Sequence, residues 1–181
     1  MSAQINELVT LAQGGNAEAF GELYELYYKE MFCYACCITG NEDLAQDAIS
    51  DAVLSAFKQI KSLRNPDVFK GWLFKILCAA CKRHYTENQH KKSFVYLDDG
   101  EKDYPGSDGF DGIELSVDLR KALSSLSKEE QEIVLLSVVS NYKSHEIADI
   151  LELSASTVRS KLNRALKKLR KSLENSERKG W

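Results

Sequence analysis

Apolar positions recur at three- and four-residue steps through most of the chain. Phe20, Leu23, Tyr27, Met31, Tyr34 and Ile38 form one stripe, and Leu44, Ala48, Ile49, Val53, Ala56 and Ile60 form a second. That period belongs to α-helices with one face turned to a core. A shorter helix carrying Ile5, Leu8, Val9 and Leu11 precedes them and ends at Gly14-Gly15. Asn16 and Asn41 stand where a side-chain oxygen can cap the second and third helices. Asn65-Pro66 starts a fourth, with Pro66 at the first helical position, where its missing N–H costs nothing. Phe69, Leu73 and Ile76 fit the buried face of that helix. From about residue 89 to 113 every period is lost, and Gly, Pro, Ser and Asp dominate the second half of the stretch. Helical spacing resumes at Leu115–Leu126, and Ser127 with Glu130 forms a capping box ahead of the apolar run EEQEIVLLSVVS. The pattern predicts an all-α chain of two small helical domains. A helical bundle covers 1–90, an acidic flexible linker 91–113, and a helix-turn-helix domain 114–175.

The last of these rests on Ser144–Arg170, which reads as SHEIADIL, a short break, and a longer basic helix. With Val158 as the origin of a wheel of about 100° per residue, Leu162, Ala165, Leu166, Leu169 and Leu173 fall on one side. Ser156, Ser160, Asn163, Arg164 and Lys167 gather on the other. Small hydroxyls, an amide and cations are the groups that fit a major groove. A solvated basic face would have the same wheel, but the preceding helix argues for the motif. Ile147, Ala148 and Leu151 give it a buried face, and Ser154 can cap the second helix. Glu152 occupies the turn where many such motifs carry glycine. Either it takes positive φ or the turn has another geometry.

Charge changes the picture because it is segregated, although the net charge is only −3. Residues 1–53 balance at −8, 54–92 at +7, 93–118 at −7, 119–153 at −2 and 154–181 at +7. Two separate surfaces facing polyanions are expected, with at least one acidic surface for another partner. On the third helix Asp43, Asp47 and Asp51 stand four residues apart with no cation among them. This is either a solvated face or a docking stripe. On the fourth, Phe69, Trp72, Phe74 and Tyr85 alternate with Lys70, Lys75, Lys82, Arg83, Lys91 and Lys92, although some of those aromatics must be core. Interleaved aromatics and cations can stack bases and neutralise phosphates of a single strand.

Five cysteines include two C-x-x-C pairs, Cys33/Cys36 and Cys78/Cys81, with His84 and His90 nearby. Zinc or a redox switch is one reading. Both pairs lie inside apolar helical stretches without the turns of a zinc knuckle, so a core face is the preferred reading and no metal or cofactor is expected. No nucleophile–His–acid set or Walker loop stands out, so no catalytic residue and no enzyme activity is expected. No apolar run approaches the ~20 residues that cross a bilayer, and the N-terminus lacks the basic start and apolar core of a secretion signal. A cytoplasmic protein without membrane insertion is the expectation.

The segments GGNAEAFGELYELYYKEMFCYA, EDLAQDAISDAVLSAF and FKGWLFKILCAACK, followed by LSSLSKEEQEIVLL and SHEIADILELSASTVRSKLNRALKKLR, carry a resemblance. Their order, across an acidic linker, resembles a bacterial RNA polymerase sigma factor of the extracytoplasmic-function (ECF) group. The resemblance runs from Glu7 to Leu173. It implies that 1–90 is a region 2-like domain docking core polymerase and opening the proximal (−10) promoter element. It implies equally that 114–175 is a region 4-like domain reading the upstream (−35) element in duplex form. Asp47, Asp51, Leu54 and Phe57 would then meet the polymerase β′ clamp. Ser62, Leu63, Arg64, Asn65, Phe69, Trp72, Lys75, Lys82 and Arg83 would meet the −10 single strand, where a flipped base enters a pocket. Ser154, Ser156, Thr157, Arg159, Ser160, Lys161, Asn163, Arg164 and Lys167 would face the −35 duplex. The linker would thread the polymerase cleft. Implied partners are core polymerase through its β′ clamp and β flap, promoter DNA, and an anti-sigma factor of the kind that often restrains such proteins. Ala79, Arg83, Glu152 and Ser156 depart from the usual residues of the family, so promoter contacts there are the chain's own. The alternative is a helix-turn-helix regulator whose first domain senses a ligand or partner; it predicts specific duplex binding by the protein alone.

Overall fold

The computed structural model describes residues 2–95 and 117–177. The chain divides into two compact units, Met1–Lys102 and Asp103–Trp181. The first contains α1 (Ser2–Gln13), α2 (Ala17–Thr39), α3 (Glu42–Gln59) and α4 (Phe69–Val95), with 3-10 turns at Ile60–Ser62 and Pro66–Val68. The predicted caps are present. Asn16 Oδ1 accepts the Ala19 N–H at 3.0 Å, and Asn41 Oδ1 accepts the Leu44 N–H at 2.9 Å. Gly40 ends α2 in the left-handed region at φ 69°, where its N–H reaches Cys36 O. Asn65 and Pro66 begin a 3-10 turn rather than α4 itself, and Asn65 Oδ1 accepts the Asp67 N–H at 3.0 Å.

α4 packs against both α2 and α3, and α1 lies along α2. Leu23, Met31, Tyr34, Ile60, Phe69, Phe74 and Leu77 are wholly enclosed. Cys33, Cys36, Cys78 and Cys81 join this core, and all five cysteines are free thiols. Burial pushes the Cys36 thiol up to about 12, which removes it from thiolate chemistry near neutrality. On α3 the inner face is a run of alanines, Ala45, Ala48, Ala52 and Ala56, each fully buried. Such small side chains let neighbouring helices approach closely. Of the apolar residues that marked α1, Val9 is fully buried and Leu11 is 46% exposed. The linker was expected from residue 91, but α4 continues to Val95; the rest of that stretch, 96–116, lies outside the described residues.

The second unit contains α5 (Val117–Ser124), α6 (Lys128–Val138), α7 (Ser144–Leu151) and α8 (Ala155–Glu177). The capping box at α6 is reciprocal: Ser127 Oγ accepts the Glu130 N–H, and Glu130 Oε2 accepts the Ser127 N–H. α5, α6 and α7 all pack on α8, against Val158, Ala165 and Leu169. Leu166 departs from the predicted core side and is 42% exposed. It sits about 80° round the wheel from Val158, at the edge of the apolar arc. The fold is all-α: no strand occurs among the described residues, and no helix there is long and apolar enough to cross a membrane.

Candidate nucleic-acid interface

α7 and α8 meet at a turn whose central residue is Glu152, at φ 57° and ψ 41°. A non-glycine residue therefore takes the left-handed conformation, the first of the two geometries the sequence left open. The Leu153 N–H closes the turn on Ala148 O at 2.9 Å. Ser154 then organises the start of α8. Its Oγ accepts the Thr157 N–H at 3.0 Å and lies 2.8 Å from Ser156 Oγ and 2.7 Å from Thr157 Oγ1. Two further hydroxyls thus lie against the capping atom.

Arg159, Ser160, Asn163, Arg164 and Lys167 are exposed along α8, and Arg164 Nε donates to Ser160 O. Thr157 is half-buried. Lys161 is half-buried. Its Nζ reaches back to Glu129 Oε2 on α6, so that charge fastens the helix instead of facing outward. Lys168 does the same to Glu130, 2.9 Å from both carboxylate oxygens. The α8 cations therefore separate by angle into an anchoring pair and an outward row of Arg159, Arg164 and Lys167. The Lys168 ammonium first, then the Ser127 N–H, hold the Glu130 carboxyl below the usual carboxylate range.

In the first unit the predicted strand-facing residues divide more sharply. Arg64, Lys75 and Lys82 are exposed, and Trp72 is half-buried with its ring 5.9 Å from that of Phe69. Leu63 and Phe69 are 8% and 1% exposed, so their side chains hold the unit together and are not surfaces for a base. Apolar bulk in an amphipathic segment serves either role, and only packing separates them. Asn65 uses its side chain as a cap, and Ser62 Oγ donates to Gln59 O at 2.7 Å. Both residues remain exposed in the loop.

Arg83 is exposed but committed. Its guanidinium lies 2.7 Å from Asp51 Oδ2, and His84 Nε2 lies 2.8 Å from the same oxygen. The His84 hydrogen bond first, then the Arg83 guanidinium, hold Asp51 below the usual carboxylate range. The acidic stripe on α3 was expected to lack a compensating cation, yet two groups of α4 supply the compensation. Asp43 and Asp47 stay exposed, and further along the same helix the apolar side chains Leu54 and Phe57 are 53% and 42% exposed. Phe57 rests edge-on against the buried Phe20 at 5.1 Å between ring centres, so part of its ring is fixed and the remainder faces outward.

Two residues of α1 escaped the sequence reading. Gln13 and Asn6 hydrogen-bond to the Ile60–Asp67 stretch. Polar residues on a short helix look like surface, and no spacing rule links them to a loop about fifty positions away.

Known families align with both units. The Sigma-70 region 2 family matches residues 23–91, and the family described as Sigma-70, region 4 matches residues 116–169. RNA polymerase sigma factor SigV of Bacillus subtilis is 29% identical over 144 residues, covering 80% of this chain and 82% of that protein. The ECF RNA polymerase sigma factor SigM of Mycobacterium tuberculosis is 26% identical over 164 residues, covering 90% and 81%. The solved structure of the sigma factor RpoE with the anti-sigma factor NepR from Bartonella quintana shares the fold. Its TM-score is 0.72 over 86% of this chain and 96% of that one, at 22% identity.

Proposed function

Because the chain belongs to the sigma-70 family of RNA polymerase sigma factors, in its ECF group, we propose that it directs polymerase to promoters as a two-point DNA grip. The protein binds core polymerase, recognises the proximal and upstream promoter elements, and promotes transcription initiation. The observation that carries this reading is the order of two sigma-type modules in one chain, region 2 over 23–91 and region 4 over 116–169. Its partners are core polymerase, promoter DNA and an anti-sigma factor.

The residue roles follow from chemistry and exposure. Ser156, Arg159, Ser160, Asn163, Arg164 and Lys167 of α8 meet the upstream duplex, the cations on phosphates and guanine edges, the amide and hydroxyls on other base edges. Arg64, Trp72, Lys75 and Lys82 meet the opened proximal strand, Trp72 offering a ring to stack and the cations neutralising phosphate. Leu54 and Phe57, with Asp47 two turns before Leu54 on the same helix, dock on the β′ clamp. Exposed apolar side chains with carboxylates further up the same helix suit a partner with an apolar anchor and a basic flank. Unstacking is driven by binding, so the chain is not an enzyme and needs no cofactor. It works in the cytoplasm, where polymerase is.

Transcription with purified core polymerase on a randomised promoter library tests the proposal. Enriched start-site upstream sequences should contain two fixed elements, and their appearance should require both the chain and core. Specific duplex binding by the chain alone, with no binding to core, would instead favour the ligand-sensing regulator.

A further inference from the structure

The loop assigned to the proximal element is held from outside by α1. Helices leave most of their last carbonyls without intrahelical partners, and α3 ends in the 3-10 turn Ile60–Ser62, where the Leu63 N–H closes on Ile60 O. The Gln13 carboxamide nitrogen donates to Ile60 O at 3.1 Å, an oxygen that also accepts the Leu63 N–H, and to Leu63 O, just past the turn, at 2.6 Å. One NH₂ group has two hydrogens, so its donor capacity is fully matched. At the other end of the loop, Asn6 Nδ2 donates to Asp67 Oδ1 at 2.5 Å. Asp67 is further fixed by its own N–H on Asn65 Oδ1.

Seven positions separate Asn6 from Gln13, two helical turns, so both lie on one side of α1. Between them Val9 is fully buried and Ala12 nearly so, and α1 packs on both 3-10 turns. α1 therefore packs on both turns and hydrogen-bonds to the loop at either end. The exposed Arg64 lies between the two fixed points. α1 also precedes the segment, 23–91, that matches region 2.

We propose that α1 is a brace for the promoter-opening loop: Gln13 and Asn6 are positioning residues that set the shape of Ser62–Asp67 and hence its base preference at the proximal element. This rests on the loop's reading role given above. Neither residue touches DNA in the proposal. They act through the backbone of residues 60–63 and the side chain of Asp67.

The test is promoter-library transcription by the full chain with core polymerase. Gln13→Leu removes the donor at similar size. Asn6→Asp sets two carboxylates together, and adding Asp67→Asn restores a donor–acceptor pair in the opposite sense. Gln13→Leu and Asn6→Asp should each lower discrimination at the proximal element about three- to tenfold, the scale of a net hydrogen bond. Upstream-element preference and core binding should stay at wild-type level. The Asn6→Asp/Asp67→Asn double variant should recover proximal discrimination. Unchanged proximal preference in both single variants would overturn the brace. So would losses shared equally by both elements together with no recovery in the double variant, which would mark a merely structural helix. An Arg64→Ala variant separates the two levels. If it keeps wild-type proximal preference while the wild-type chain transcribes, the loop's reading role fails and the brace with it. If Arg64→Ala shifts that preference and the α1 variants do not, only the brace fails.

Discussion

Glu152 holds a conformation that costs a non-glycine L-residue on the order of 1–2 kcal/mol, because Cβ approaches the following carbonyl. Glu152→Gly should therefore stabilise the second unit by about 1 kcal/mol, after the added freedom of the unfolded chain is subtracted. Slower amide hydrogen exchange across the buried residues Val134–Leu136 would register it. Glu130 carries a pH dependence whose sign is fixed by its partners. Lys168 and Ser127 depress its folded-state pKa, so its contribution is present above the ordinary glutamate range and is lost as pH falls through the depressed value. Wild-type thermal stability should fall below about pH 4, and Glu130→Gln should flatten that acid limb. An acid limb of unchanged steepness in the variant would remove Glu130 as its source. Asn141 at φ 56° is the other left-handed non-glycine residue among those described, in a side chain that tolerates the region better.

At the scale of elements, a helix in this protein has separate jobs on separate faces. α3 packs a run of alanines inward, gives Asp51 to α4, and turns Leu54 and Phe57 outward. Leu54→Glu should weaken core-polymerase binding about tenfold or more, as expected for a central apolar contact. Its folding stability should stay within about 0.5 kcal/mol, as for other exposed sites. Parallel core titration and thermal melts separate the two effects. α8 divides its cations similarly, with Lys161 and Lys168 fastened to α6 and Arg164 and Lys167 outward. Each of Arg164→Ala and Lys167→Ala should reduce the salt slope of holoenzyme binding to the upstream element by about 1 if the lost contact is to phosphate. A slope unchanged in both would displace the reading face from this side of α8.

For the whole molecule, the consequence of segregated charge is that the chain carries its own polyanion-like segments beside two cationic ones. Binding to promoter duplex by the chain alone should be weak and confined to low salt, and addition of core polymerase should make it specific. An electrophoretic shift series at rising salt, with and without core, reads this directly; tight specific binding by the chain alone would contradict it. Net charge of −3 conceals this arrangement, since the blocks nearly cancel.

The sequence by itself determined the helices, their caps, the order of the modules and the outward row of α8. Helical period, the side chains of Asn16, Asn41 and Ser127, and the spacing of Ser156 to Lys167 act over a few residues, and local chemistry decides them. Tertiary structure alone decided which groups are free for a partner. Lys161 and Lys167 share the same basic helix, yet one meets Glu129 and the other solvent. Phe69 and Trp72 share the same amphipathic stretch, yet one is enclosed and the other half-open. Asp51 stands in an acidic stripe but is matched by Arg83 and His84 from a helix some thirty positions later. The same holds for Gln13 and Asn6, whose partners lie far along the chain. The physical reason is common to all: the direction of a side chain is local, but what fills the space it points into is set by the packing of distant elements.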